Sequence, residues 1–576
     1  MTIESVYDSA PWQVHHAHAK GGSASAPAPA SPNVAAMAHA AAERFADRIA
    51  FTCVMPNGMY GNKTFTDIDR MSDAFAVYLR ETLRLQPGAR VALQAPNCLT
   101  TPVVVFGTLK AGCVLVNTNP LYTPAEMRHQ FTDAGVEALI IVDMFADKFD
   151  AIRSETGVRH VIVCSVASFF PPVVRPIIQA IQKYWNRAIP AFRGDAIRIE
   201  EALRAGAETL ANMKIDPRDY WKRINPSDLA LLQYTGGTTG VAKGAMLTHG
   251  NLLANIEQIL AMGGAHIEEG KEVVMTALPC YHIFAFTANL LTFFQVGARN
   301  LLIPSPRPVQ NLQRAFDNYK VSWISGVNTL YNALLNEEWF LAFPPRHLKA
   351  AIGGGAAMHS AVVRRWEEVT GAPLAEGYGL TEASPVVCFQ PFSAARRTDT
   401  IGIPAPDTAV RLVDDDGRPV PPGQPGELIV RGPQVMQGYW NQPADTAKTL
   451  RDGWLYTGDV AVMDADFMFR IVDRKKDLII VSGFNVYPNE VEDAITAHDK
   501  VMEAAVVGVP DAKTGEAVHA FVVRRDPTLT EQELIGHCRK SLTGYKVPAR
   551  ITFRDELPKS PIGKILRKDL RNTVRA

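Results

Sequence analysis

Between residues 33 and 350, short apolar runs rich in β-branched residues alternate with segments whose apolar positions recur at helical spacing. RVALQAPN, TPVVVFGTLKAG, VLVNTN, ALIIVD and HVIVCSV follow one another in this way. Short strands separated by helix-length segments predict parallel βαβ construction with both sheet faces covered, an α/β fold. LALLQY, GAMLTH, EVVMTALP and VSWISGVN extend the strand series, with a helix at FTANLLTFFQVG. LKAAIGGGAAM and PLAEGYGLTE each run from apolar residues into a glycine-containing loop, the place where open α/β sheets bind ligands.

The texture changes near residue 395. VRLVDDDGRPVPPGQPGELIVRG carries Asp-Gly, Pro-Pro-Gly and Pro-Gly turn signals between short strands, which predicts a small β subdomain over about 395–473. From 474 to 576, strands such as EAAVVGVP and AVHAFVV and further helices predict a smaller, mobile α+β C-terminal lid domain. The charged run Asp473-Arg474-Lys475-Lys476-Asp477 lies at the junction and is either a hinge or a solvated turn.

At 576 residues the chain exceeds what one hydrophobic core covers, in keeping with a large N-terminal domain over 33–473 and a second domain after it. Residues 1–32 hold His15, His16, His18 and GGSASAPAPASP without the apolar core of a signal peptide, and read as a flexible leader. No run of ~18 uncharged apolar residues predicts a membrane span. Hydrophobic residues make up 47% and charged residues 20%, an ordinary globular balance. Lys plus Arg and Asp plus Glu both total 59, so no global field draws in nucleic acid, and anion affinity has to be local. The seven cysteines are scattered without a Cys-x-x-Cys pair, which argues against a disulfide framework or zinc site and fits a reducing cytoplasm.

YTGGTTGVAKG, Tyr234 to Gly244, departs from the strict Walker pattern because Lys243 is followed by Gly244 and not by a hydroxyl residue opening a helix. What it offers is a nest of backbone N–H groups, from Thr235, Gly236, Gly237, Thr238, Thr239 and Gly240, with threonine hydroxyls and Lys243 as added donors. The string resembles the phosphate loop of the adenylate-forming enzymes, the superfamily of acyl-CoA synthetases, amino-acid adenylation domains and firefly-type luciferases. Other motifs similar to that family's follow in order. They are Pro279-Cys280-Tyr281-His282-Ile283-Phe284, Gly354-Gly355-Ala356, Glu376-Gly377-Tyr378-Gly379-Leu380-Thr381-Glu382, Tyr456-Thr457-Gly458-Asp459, the 473–477 run, and the segment from Pro558 to Arg567. LQYTGGTTGVAKGAMLTH and VDRKKDLIIVSGFNVYPNEVE are similar in wording to the bacterial long-chain fatty-acyl-CoA synthetases of that family.

The resemblance implies that a substrate carboxylate attacks the α-phosphorus of ATP, pyrophosphate leaves, and the thiol of coenzyme A then displaces AMP from the acyl adenylate. It implies an ATP-binding set of Thr235 to Gly240, Lys243, Gly354, Gly355, Ala356, Glu376, Gly377, Tyr378, Gly379, Asp459 and Arg474. Lys564 is the implied catalytic cation, Thr381 an α-phosphate contact, His282 a carboxylate neighbour and Glu382 the ligand of Mg2+. Lys476 is the implied hinge about which the lid turns, and Gly483 and Phe484 the implied coenzyme A contacts. Positive charge beside the reacting atoms is what attack on a polyanion by a carboxylate requires. Cys280 beside His282 lacks an oriented third partner for nucleophilic catalysis and is read as packing.

Adenylation domains for amino acids place an acid just after the motif held here by His282, whereas this chain reads HIFAFTANLLTFF. The apolar stretch favours medium-to-long fatty acids, with another carboxylic acid, aryl or short-chain, as the alternative. Residues 173–189 carry Val174, Ile177, Ile178, Ile181, Tyr184 and Trp185 at helical spacing after Pro176, among Arg175, Lys183, Arg187 and, farther on, Arg193. That helix either packs on the α/β domain or rests on anionic lipid, the latter placing the protein peripherally on the inner face of the membrane. A homodimer is likewise left open.

Overall fold

A computed structural model describes residues 3–18, 25–192, 194–235, 242–392, 396–511, 513–561 and 563–575. Two large, mainly parallel sheets form the N-terminal domain, which agrees with the α/β expectation. One has nine strands in the order 403–404, 386–389, 374–379, 350–353, 323–326, 273–276, 299–302, 49–54 and 60–64. The other has seven, in the order 197–198, 160–164, 136–142, 90–94, 114–117, 229–235 and 243–248. Leu229–Thr235 and Lys243–Thr248 pair antiparallel, so the glycine loop joins two strands of a hairpin and opens no helix.

TPVVVFGTLKAG, β-branched as it is, forms the helix Thr100–Lys110, buried along its whole length. A helix apolar on every side belongs in the interior. Its one charge is paired there: Lys110 Nζ lies 2.6 Å from Asp69 Oδ1 and 2.7 Å from Asp73 Oδ1, both on the helix Phe65–Val77. Gly107 permits the close approach of that helix, since a Cβ there would meet the Phe75 side chain at 2.8 Å.

A third sheet of five antiparallel strands spans 409–474 and corresponds to the expected β subdomain, while Val386–Phe389 and Ile403–Pro404 join the nine-stranded sheet instead. The chain then passes through the turn Lys475–Asp477 into a fourth sheet. There Phe484–Val486, Ile479–Val481, Gly515–Arg524 and Val501–Asp511 are antiparallel and Arg550–Arg554 is parallel to Gly515–Arg524, flanked by helices Pro488–Thr496, Glu531–Cys538 and Arg567–Arg575.

The expected leader is packed, not free, over its first described residues. Ile3–Asp8 is helical and Pro11–His18 is a 3-10 turn. Tyr7 donates its hydroxyl to Val420 O at 2.9 Å, Asp8 pairs with Arg411 at 2.6 Å, and Trp12 stands edge-on to Phe469 with centroids 5.5 Å apart. Two buried aromatics anchor the segment to the β subdomain, a contact across some four hundred residues that local composition does not encode.

The helix expected after Pro176 forms as Val174–Ala180, continued by a π-type turn at Ile181–Trp185. Its apolar residues do not share one fate: Ile178 is buried, whereas Ile177, Ile181, Tyr184 and Trp185 are exposed, Trp185 by 87%. No helix among the described residues is long and apolar enough to cross a membrane.

Candidate active site

A cavity of about 1500 Å³ opens at the carboxyl ends of the parallel strands and is closed on its far side by the C-terminal domain. Strand ends place Thr235, Gly354, Gly355, Ala356, Glu376, Gly377, Tyr378, Gly379, Thr381 and Glu382 on its wall, joined by His282, Lys243, Asp459, Arg474, Lys476 and Lys564. Gly236, Gly237, Thr238, Thr239 and Gly240 fall outside the described residues.

Asp459 and Arg474 are paired across two antiparallel strands, which holds Arg474 Nε 3.1 Å from Asp459 Oδ1. The other carboxylate oxygen accepts the Tyr378 hydroxyl at 2.6 Å. Gly458 carries a φ of 72°, a left-handed turn that glycine adopts without strain, and it delivers Asp459 to the cavity. Glu376 is enclosed, its Oε1 accepting the Met358 N–H at 3.2 Å. Burial pushes its carboxyl up to about 8. It is therefore mostly neutral near pH 7, suited to a hydrogen bond and not to holding a cation.

Glu382, also on the wall, accepts the Tyr439 hydroxyl through Oε1 at 2.6 Å. Oε2 carries no protein hydrogen bond among the described residues. Those residues also contain no group of three or more His, Cys, Asp or Glu able to hold a metal. One oriented carboxylate with a free oxygen fits a hard cation that takes its remaining ligands from phosphate and water. Lys243 is paired with Asp445 at 2.7 Å and lies 5.4 Å from the Tyr439 ring centroid. Tyr439 and Asp445 belong to GYWNQPADT, which no motif spacing linked to the site.

Lys564 reaches the cavity from a loop closed on itself: Ser560 N–H donates to Lys564 O at 2.7 Å and Lys564 N–H to Ser560 Oγ at 3.1 Å. Gly563 has a φ of 90°, and a Cβ there would meet Thr329 Oγ1 at 2.9 Å. Thr329 donates to Gly563 O at 3.0 Å, and Arg307 donates to Pro561 O, pinning the loop to the large domain. Burial, then the charge of Arg474, pushes the Lys564 ammonium down to about 8. His282 is pushed down to about 4 by burial and by the charge of Lys564, so it is neutral at physiological pH.

Arg567, grouped in the sequence with basic residues that composition alone would put on a solvated face, turns inward. It lies 3.2 Å from Asp473, 2.7 Å from Glu492, and donates to Asn489. Lys476 lines the cavity in the turn between the third and fourth sheets. Gly483 and Phe484 are not brought to the cavity; Phe484 is exposed and stacks on Tyr545 at 4.9 Å. Cys280 is buried, with burial raising its thiol, as its packing reading expects.

Beyond His282 the lining turns apolar. Met262, Ile267, Phe293, Trp323, Phe389 and Phe392 continue the cavity, with Phe293–Trp323 and Trp323–Phe392 centroids both 5.6 Å apart. Residues 38–440 match the model for the AMP-binding enzyme, and residues 490–564 that for the AMP-binding enzyme C-terminal domain. The chain belongs to the AMP-binding enzyme family. It is 49% identical to a long-chain-fatty-acid–CoA ligase of Escherichia coli, over 92% of this chain and 93% of that one. A Bacillus subtilis protein of the same name is 38% identical, with 92% of each chain covered. Among solved structures, ATP-bound MatB from Rhodopseudomonas palustris superposes with a TM-score of 0.79 at 28% identity, covering 94% of this chain and 99% of that one. Membership makes this an adenylate-forming enzyme with the N-terminal and C-terminal domain pair of the family.

Proposed function

We propose that the protein is an ATP-dependent long-chain fatty acid–CoA ligase, and that the residues gathered around the cavity divide the two half-reactions between them. The observation that carries this reading is Lys564: an ammonium delivered by the lid into a cavity that has a ribose-type carboxylate on one wall and an apolar arm beyond His282. The relatives named as long-chain-fatty-acid–CoA ligases support the choice of acid.

In the first step a carboxylate oxygen bonds to the α-phosphorus and the bond to pyrophosphate breaks. Lys564 neutralises charge on both reacting groups, Thr381 donates to the α-phosphate, and Asp459 accepts from the ribose hydroxyls, held in place by Arg474 and Tyr378. Glu382 would hold Mg2+, which supplies charge neutralisation to the phosphates. The loop from Thr235 to Gly240, together with Lys243 released from Asp445, receives the pyrophosphate. Neutral His282 sits beside the substrate carboxylate without adding a charge. In the second step the coenzyme A thiol attacks the acyl carbon and AMP leaves, after the lid has turned about Lys476 and brought Gly483 and Phe484 toward the cavity. Alternation of this kind lets one pocket serve two reactions and shields the anhydride from water.

Pyrophosphate release measured with octanoate, palmitate, benzoate and acetate, each with and without coenzyme A, tests the proposal. Palmitate should be preferred, with AMP and acyl-CoA appearing only when the thiol is present. A preference for benzoate would move the protein to the aryl acids, and no adenylate from any acid would end the reading. Lys476→Pro should leave adenylation near normal while slowing thioester formation; equal loss of both half-reactions rejects the hinge.

The same reading extends to a lipid surface on the cytoplasmic side. Val173, Ile177, Tyr184 and Trp185 are exposed in one short segment beside Lys183 and Arg187, the mixture that inserts shallowly into an anionic bilayer. Ile177→Glu and Trp185→Glu should abolish flotation with phosphatidylglycerol vesicles while leaving soluble-assay turnover intact. Unchanged flotation leaves the segment without that role.

A further inference from the structure

The apolar arm does not end against the large domain alone. A second cavity of about 30 Å³ lies beyond it, lined by His15, His16, His266, Pro391 and Ile403 and sharing Met262, Gly263 and Phe392 with the main cavity. Those three shared residues are the partition between the two spaces. On its outer side the wall therefore includes His15 and His16, at the end of the packed N-terminal segment.

That wall is held from several directions. Trp12 is only 3% exposed and His16 only 4%. His15 Nε2 lies 2.9 Å from Asp466 O, while Tyr7 and Asp8 anchor the preceding helix to Val420 and Arg411. On the inner side His266 places its ring 5.1 Å from that of Phe392 and its Nε2 3.3 Å from Phe392 O. The partition is built of materials that can give: Met262 is an unbranched thioether chain, and Gly263 has no side chain at all. The volume behind it is room for one or two water-sized groups.

We infer that the N-terminal segment Pro11–His16 closes the distal end of the acyl-tail arm and sets the longest tail the enzyme accommodates, with Met262 and Phe392 as the partition that the end of a long tail displaces. This rests on the fatty-acid reading above and adds to it a length-determining element that lies outside both matched family regions. Each methylene newly buried is worth about fourfold in affinity, so a small change in the depth of the arm is visible in relative specificity.

The direct test uses the intact wild-type protein. Saturated fatty acids carrying a terminal photoactivatable diazirine, in a series from octanoate to stearate length, are bound with ATP and irradiated, and the labelled peptides are identified. The shorter probes should label the neighbourhood of Phe293 and Trp323, and the longest should label Met262, Phe392 and the peptide containing His15 and His16. Labelling that never reaches the N-terminal peptide at any length overturns the inference. In parallel, His16→Ala deepens the space behind the partition and should raise the ratio of kcat/KM for stearate to that for octanoate by about fourfold or more. A ratio within experimental error of wild type counts against the inference even if both rates change. Failure of the parent reading looks different: wild-type protein would then form no adenylate from any member of the series.

Discussion

The large domain and the lid are held together internally by the same force, but to each other by a different one. Among the described residues, the apolar clusters of the N-terminal domain draw side chains from Val6 to Ile471 and none beyond. The two clusters of the C-terminal domain begin at Ile479 and take none from before it. Across the boundary run polar contacts: His359 with Asp493 at 2.8 Å, Asn332 with Met502 O at 2.9 Å, Thr329 with Gly563 O, Arg307 with Pro561 O, and Arg567 with Asp473. Buried apolar area is lost only by unfolding, whereas hydrogen bonds and ion pairs at a partly wet boundary can be exchanged for water at a net cost of about 0.5–1.5 kcal/mol each. A core of the first kind gives the cavity a fixed shape. A boundary of the second kind gives it a removable cover.

The largest effect that would break this contrast falls on Lys564, the buried ammonium that the lid brings to the cavity. Lys564→Ala should lower acyl-AMP formation by about 10²–10³, followed as pyrophosphate release. The same variant supplied with preformed acyl-AMP should still make the thioester, because the cover is then turned away. A variant that forms adenylate as fast as wild type would show that the lid contributes shelter and no chemistry.

Next in size is the junction itself. Arg567 lies between Asp473 on the large-domain side and Glu492 on the lid, and its removal leaves two buried carboxylates with backbone N–H donors but without the guanidinium that balances their charge. Breaking a buried pair costs about 3–5 kcal/mol. With its side chain 17% exposed, Arg567 belongs at the lower end of that range. Arg567→Ala should therefore loosen the lid by up to about 3 kcal/mol, seen as earlier proteolysis within 475–575 while the large domain stays resistant. Arg567→Lys should recover only part of the difference, since an ammonium cannot reproduce the fork that spans both acids. Equal protease resistance in wild type and Arg567→Ala would move the weight of docking to the other contacts.

How much of this the sequence disclosed follows the same division. The strands ending in YTGG, AAIGGG and AEGYG are legible because apolar runs stop at glycine, and the ordered motifs mark the cavity wall around them. Lys564 was legible from its motif, and Gly563 before it proved to be the residue that fits against Thr329. The partners that orient these groups were not. Tyr439 under Glu382, Asp445 on Lys243 and Arg567 between its acids are contacts between segments far apart in the chain, and a tyrosine or arginine in such a segment looks like any other. The N-terminal segment departs from the flexible leader expected of it for a related reason: GGSASAPAPASP after it has the composition of a linker, but Tyr7 and Trp12 before it pack against the subdomain whose sheet begins at residue 409. TPVVVFGTLK shows a different limit, since three consecutive valines suit a strand until the surroundings offer burial on every side.

The smallest expected effect is a titration, and it sharpens the contrast without removing any contact. A lysine in water releases its proton near 10.4, but entering the cavity beside Arg474 brings Lys564 down to about 8. The protonated form is the one that neutralises phosphate, so kcat/KM for adenylation should be level below that value and fall as pH rises through it, by about tenfold per pH unit beyond. His282, already pushed down to about 4, is neutral throughout this range, so His282→Gln should change the height of the profile and leave its descending limb in place. Lys564→Arg carries a guanidinium that stays charged, and in that variant the limb should disappear even though the rate is lower. A limb near 8 that survives unchanged in Lys564→Arg would assign the titration to another group and would mean that the ammonium of the lid reaches the cavity without being desolvated there.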